Sequence, residues 1–209
     1  LRYDREGLDG TVEQVLDFNP VCSELYRTLG QFASRHYRFE DGAGFQRSAL
    51  ALDPSNTMAR EMYSLDLLRL GLEEAGRTEL ERVFEENPYS VTAYNLLEMM
   101  DTLAKFETIE RGNFVLKLPK SERGVMADAA LDLLDEAVKL YEAKYSVVLA
   151  KPVLLEMFDN HDDFMVRSVG LPGSVGHMGI CFGKLITMDA PSVRARGSSN
   201  WRSVLWHEF

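Results

Sequence analysis

The apolar positions of this chain change period once. Up to about residue 105 they recur at helical spacing, in stretches punctuated by proline. Val15-Leu16-Asp17-Phe18 runs into Asn19-Pro20, Ala49-Leu50-Ala51-Leu52 into Asp53-Pro54, and Val83-Phe84-Glu85-Glu86 into Asn87-Pro88. Proline lacks the amide hydrogen and clashes with the preceding turn, and it pushes the residue before it out of the α region. Each proline therefore closes one helix, and the Asn or Asp before it is placed to cap the next. The three dipeptides lie 34 residues apart, so the pattern predicts a series of helix–turn–helix units over residues 1–105.

From about Phe106 the pattern shortens and mixes. Asn113-Phe114-Val115-Leu116-Lys117-Leu118 is β-like and is stopped by Pro119. Glu122 to Tyr145 returns to helical spacing through Ala130, Leu133, Leu134, Ala137, Val138 and Tyr141. Val153-Leu154-Leu155-Glu156-Met157-Phe158 predicts a buried strand, and Asn160 to Val169 a short helix capped by Asn160, with Asp162 and Asp163 suited to its first turn. Ile180 to Met188 predicts one further strand, ended by Asp189-Ala190-Pro191. Ser192 to Ser199 reads as a loop, and Asn200 caps a last helix from Trp201 whose stripe is Trp201, Val204, Leu205 and Phe209. The fold class expected is α+β: helical hairpins over 1–105, then strands alternating with helices over 106–209.

The 34-residue period is that of tetratricopeptide repeats. The middle unit resembles that family, with Leu29-Gly30 in its first helix followed by Ala49 and Pro54. Ser64 and Glu98 stand where Gly30 would recur, and Gly42 and Gly76 replace a usual alanine, so the units look degenerate. The resemblance covers about residues 5–105. It implies a helical array with a concave groove for a protein partner. With about two and a half units, packing against a neighbouring domain is the favoured role.

Charge and composition narrow the partners. Hydrophobic residues make up 45% and charged residues 27%, enough apolar side chains for a sizeable core. A net charge of −10 repels phosphate backbones, which sets nucleic acid aside. No apolar run reaches the ~18 residues that a membrane span needs, and the start, Leu1-Arg2-Tyr3-Asp4, is no signal peptide. Both ends look cut, so no targeting signal can be read from this chain. Cys22 and Cys181 form no CxxC pair; two buried free thiols are expected.

The glycine-rich stretch Gly170 to Gly179 invites a test as a phosphate cradle. A P-loop needs Gly-Lys followed by Ser or Thr, but Gly183-Lys184 is followed by Leu185, and Met178 stands where the first glycine should be. Gly173, Gly176 and Gly179 are spaced by three and miss the dinucleotide pattern as well. A loop leading into a strand is the better account.

The candidate chemistry lies at the end of the sequence. His207-Glu208 sits on the last predicted helix. In the zinc motif H-E-x-x-H, two histidines four apart share one helical face and bind one metal, while the glutamate acts as general base on a metal-bound water whose pKa falls toward about 7. The chain holds only the first two residues of that motif, and as a dipeptide the signal is weak. Three segments strengthen it: Asn200 to Phe209, Asn160 to Gly173, and Gly179 to Pro191. Together they resemble the bacterial tetratricopeptide-repeat proteins with a peptidase MA-like, gluzincin domain, over about residues 106–209. The resemblance implies a zinc metallopeptidase cleaving peptide or protein substrates, with His207 the first zinc ligand and Glu208 the general base. It also implies a second histidine two residues past Phe209 and a glutamate ligand beyond, so this chain by itself is expected to be inactive. The strand from Gly179 to Met188 falls where such enzymes pair the substrate backbone, which marks Gly179, Cys181 and Gly183 as candidate substrate-binding residues. The alternative is an interaction scaffold carrying a non-catalytic relative of the enzyme. His36, His161 and His177 are expected as surface, helix-start and loop residues, and Arg194, Arg196 and Arg202 as solvated charges rather than carboxylate binders.

Overall fold

The computed structural model describes residues 5–146, 148–149, 152–195 and 197–209. The chain is α+β: the described residues form six helices ahead of a five-stranded mixed sheet. It divides into two compact units, Leu1–Leu68 with Leu72–Pro88, and Arg69–Gly71 with Tyr89–Phe209. Among the described residues, no helix is long and apolar enough to cross a membrane.

The first unit is built of helical hairpins: α1 (Arg5–Phe18), α2 (Ser23–Arg35), α3 (Phe39–Leu52), α4 (Thr57–Arg69, its last residue in the other unit) and α5 (Glu73–Glu86). The helices before each proline end where expected, at Phe18, Leu52 and Glu86. The capping, however, is displaced by three residues. Asn19 and Asp53 accept from the amides of Val21 and Ser55, closing the turn around the proline. The cap of α4 is instead Asn56, whose Oδ1 accepts from the Ala59 amide at 3.0 Å. In the second unit Ser90 caps the next helix in the same way, accepting from Ala93. A proline at the second position of the turn leaves two residues before the helix, so the cap falls after the proline and not before it. Glycine permits the close packing of these helices: a Cβ at Gly30 would run into the Gln46 amide, and one at Gly76 into Leu68.

The second unit opens with α6 (Val91–Leu103). It continues through β1 (Glu107–Arg111), β2 (Phe114–Leu118), α7 (Arg123–Tyr145), β3 (Val153–Phe158), α8 (His161–Val169), β4 (Gly179–Cys181), β5 (Leu185–Asp189) and α9 (Trp201–Glu208). The strand order is β1-β2-β3-β5-β4. Three central strands run parallel, and an antiparallel strand closes each side. Strand alternation divides the side chains between two layers. Phe114, Leu116, Leu155, Met157, Ile186 and Met188 face α7 and Leu205 of α9 in the main apolar core. On the opposite face Glu156 and Arg167 form a fully buried ion pair between β3 and α8, with Nε–Oε2 2.7 Å and Nη2–Oε1 3.0 Å. Ser168 and Thr187 join α8 to β5 beside it, 3.1 Å apart.

Two expectations need correction here. The strand expected from Ile180 to Met188 is a hairpin: β4 and β5 pair antiparallel, and the turn passes through Gly183 at φ +78°. A positive φ is cheap only for glycine, so the run breaks there. The thiols of Cys22 and Cys181 are free as expected, yet both are partly exposed rather than buried.

Candidate functional site

Helix α9 begins where Asn200 accepts from the Ser203 amide at 3.3 Å. Leu205 is fully buried in the core, and Trp201, Val204, Trp206 and Phe209 pack against it. Phe209 stacks on Tyr141 of α7, with ring centroids 6.0 Å apart, and Tyr141 donates to the Trp206 carbonyl at 3.3 Å. This anchoring sets the rotation of the helix. His207 lies on the outer side and is exposed, while Glu208 is half-buried and turned to the sheet.

What Glu208 meets is Gly179, the first residue of β4. A Cβ built on Gly179 would stand 2.8 Å from Glu208 Cγ, 3.3 Å from its Oε1 and 2.9 Å from Val204 Cγ1. Val204 and Glu208 are four apart and share one helical face, and that face rests directly on the glycine backbone. Here glycine is required by space, since φ at this position is unexceptional.

β4 is an edge strand, and its pairing shows which groups are left open. The Asp189 amide donates to the Met178 carbonyl at 3.0 Å, and the Phe182 amide to the Leu185 carbonyl at 2.7 Å. Antiparallel pairing alternates, so Met178, Ile180 and Phe182 turn inward to β5. Gly179 and Cys181 thus turn their N–H and C=O groups to the free edge. The Cys181 side chain lies on the core side of the strand, where its Sγ donates to the Gly183 carbonyl at 3.4 Å. Burial first, and then the negative charge of Glu208, push its thiol pKa up. Cys181 is therefore a thiol and not a thiolate near neutral pH. Gly183 sits in the hairpin turn and lines a cavity of about 270 Å³ with Tyr141, Leu149, Ile186 and Phe209.

Of the residues singled out from sequence, Glu208, Gly179 and Cys181 come together, and Gly183 follows in the hairpin turn. His207 adjoins Glu208 in sequence but faces outward. Among the described residues, no group of three or more His, Cys, Asp or Glu side chains is arranged to hold a metal ion. Zinc takes three or four protein ligands, so these residues do not make up a zinc site; they offer one candidate ligand and one candidate base.

A second cluster was not read from the sequence. His161, the first residue of α8, places Nδ1 3.0 Å from Asp189 Oδ2 and Nε2 2.7 Å from the Ser174 carbonyl. Arg194 donates to Asp189 through Nε at 3.0 Å and Nη2 at 2.7 Å, and its Nη2 also reaches the His177 carbonyl at 3.1 Å. Arg194 is thus a bonded side chain and not the solvated charge expected, because the strand end brings Asp189 beneath it. Arg202 lies over the Trp201 ring at 5.5 Å, and Arg196 lies outside the described residues. His36 and His177 are exposed, as expected.

Compared with protein-family models, with curated proteins and with solved structures, the chain matches none of them. The reading of its chemistry therefore rests on the residues themselves.

Proposed function

We propose that the chain belongs to a zinc-dependent peptidase of the HExxH type, with His207 a zinc ligand and Glu208 the general base. The observation that carries this reading is a carboxylate held against an open sheet edge. An extended peptide adds to such an edge through main-chain hydrogen bonds, and here Gly179 and Cys181 face outward to receive it. The carboxylate of Glu208 then lies beside the bound backbone, placed to take a proton from a water attacking a peptide carbonyl. Backbone pairing is indifferent to side chains, so the substrate class is extended peptide rather than one residue type. On this reading the sheet unit is the front of a zincin-like domain, and the hairpins of residues 5–105 are degenerate tetratricopeptide repeats that pack or hold a protein partner. The reading requires a second histidine and a further ligand from outside these 209 residues.

The test uses protein carrying the complete motif. Metal analysis should find about one zinc per chain, and His207→Ala should lose it. Glu208→Gln should keep the zinc and lose about 10²- to 10⁴-fold in hydrolysis of an unstructured peptide. Unchanged hydrolysis would exclude Glu208 as the base. The second reading is an interaction scaffold with a non-catalytic peptidase-like unit. It would be upheld by a protein that takes up no zinc yet still binds an extended peptide.

A further inference from the structure

The loop between α8 and β4, residues 171–178, feeds the edge strand directly, and side chains from outside it hold it at three points. Asp162 Oδ1 accepts from the Gly173 amide at 3.1 Å, His161 Nε2 meets the Ser174 carbonyl at 2.7 Å, and Arg194 donates to the His177 carbonyl at 3.1 Å. Of the three holding groups, only the imidazole changes charge between about pH 5 and 8 when unperturbed.

The geometry of His161 specifies its charge. Nδ1 lies 3.3 Å from Arg194 Nη2, but its nearer neighbours are the two Asp189 oxygens at 3.1 and 3.0 Å, and Nε2 faces the Ser174 carbonyl, so each nitrogen has an oxygen acceptor closest to it. A carbonyl cannot donate, and an ionised carboxylate cannot either. Both contacts are hydrogen bonds only when both nitrogens carry hydrogen, that is, in the imidazolium form. The charged groups around the ring come from several directions. Asp189 of β5 favours the cation and Arg194, beyond the 3-10 turn at Pro191–Val193, opposes it. Asp159, Asp162 and Asp163 flank it in sequence at the start of its own helix. Phe164 covers the ring with centroids 5.7 Å apart.

We propose that protonated His161 is a latch on the glycine-rich loop, holding Ser174 and the approach to β4 in place at mildly acidic pH and releasing them as the ring loses its proton. In the neutral ring one nitrogen presents a lone pair to an oxygen. A lone pair on Nδ1 would meet Arg194 Nη2 at 3.3 Å but also both Asp189 oxygens at 3.1 and 3.0 Å; the bond to the carboxylate is the stronger, so the remaining hydrogen stays on Nδ1 and the Ser174 contact becomes repulsive. Burial alone disfavours the cation; the bonds to Ser174 and Asp189 outweigh it and raise the pKa above the ordinary histidine value. The sign follows. A raised folded pKa means that the stability from the latch is complete below about pH 6.5 and is lost as pH rises through the higher folded value. The latch does not depend on the peptidase reading, since its readout is the loop itself.

Amide hydrogen exchange of this chain, corrected for intrinsic rates, tests it residue by residue from pH 5.5 to 8.5. Protection of the Gly173 amide, bonded to Asp162, and of the Asp189 amide, bonded to the Met178 carbonyl, should fall roughly tenfold or more, the effect of losing one hydrogen bond to a charged group, in step with the His161 ring titration followed by NMR. The amides of β2 and β3 should keep theirs. His161→Gln should flatten the pH dependence, and His177→Gln, which removes the loop's own imidazole, should leave it intact. If His161→Gln does not fold, Asp189→Asn serves instead, by lowering the pH at which the loop is released. Loop protection independent of pH, or a His161 titration at or below the ordinary histidine value, would overturn the proposal.

Discussion

β1 and β4 are the two outer strands of one sheet, and they manage the same exposure differently. β1 carries Glu107, Glu110 and Arg111 in five residues. Its Arg111 is ion-paired to Asp132 and Asp135 of α7 at 2.9 Å each, and Glu107 to Arg123 at 3.2 Å. Charge along an edge deters another chain from pairing with it. β4 is Gly179-Ile180-Cys181, three residues without a charge, backed by a helix that carries one carboxylate to its first residue. Under the proposed function, the bare side is the one an extended peptide would meet. Shortness keeps that edge from being a general template for aggregation, while still offering two residues of outward backbone.

The comparison can be broken in several places. The largest effect is expected beneath both edges, at the buried Glu156–Arg167 pair. Arg167→Met leaves a carboxylate buried without its partner and should cost about 3–5 kcal/mol in urea unfolding; a loss under ~1 kcal/mol would show that the pair does not support the sheet. Next, Gly179→Val forces a side chain into Glu208 and Val204, and overpacking of this kind costs about 1–3 kcal/mol. The matched change on the guarded edge, Thr108→Val at an exposed position, should stay within about 0.5 kcal/mol. Equal costs at the two positions would deny that α9 rests on β4. Asn200→Ala removes the cap of α9 and should cost about 1 kcal/mol, seen as faster amide exchange in that helix. The smallest change in stability comes with the clearest change in behaviour. Ile180→Lys puts a charge on the bare edge and should weaken binding of an extended peptide, whereas Thr108→Lys on β1 should leave binding as it was.

Much of the architecture was legible before any coordinates, and the exceptions have physical reasons. The prolines marked the helix ends because their constraint is local. Asn160 and Asn200 were legible as caps for the same reason; Asn160 accepts from the Asp162 amide at 2.8 Å. β1 was not, because Glu107-Thr108-Ile109-Glu110-Arg111 has one apolar residue and reads as a polar connection. A strand whose role is to repel neighbours lacks the hydrophobic signal by which strands are recognised. The β4–β5 hairpin was hidden inside one apolar run, although Gly183-Lys184 in its middle was the available signal. At the site, Glu208 and Gly179 are joined only by tertiary packing, and spacing gave no measure of their approach. The His161–Asp189–Arg194 cluster was invisible for a like reason, since its members come from a helix start, a strand end and a loop.

The order β3-β5-β4 has a consequence for how this protein can vary. Between α8 and β5 the chain walks out to the rim, turns at Gly183, and only then enters the middle of the sheet. β5 takes its place by pairing with β3, through a register running from Leu154–Leu185 to Phe158–Asp189. The glycine-rich loop and β4 are therefore an excursion, attached at both ends to a frame that has its own pairing. Loop length costs little entropy, since each doubling adds only about 0.6 kcal/mol. That rim can be lengthened, shortened or exchanged with little disturbance to the parallel centre.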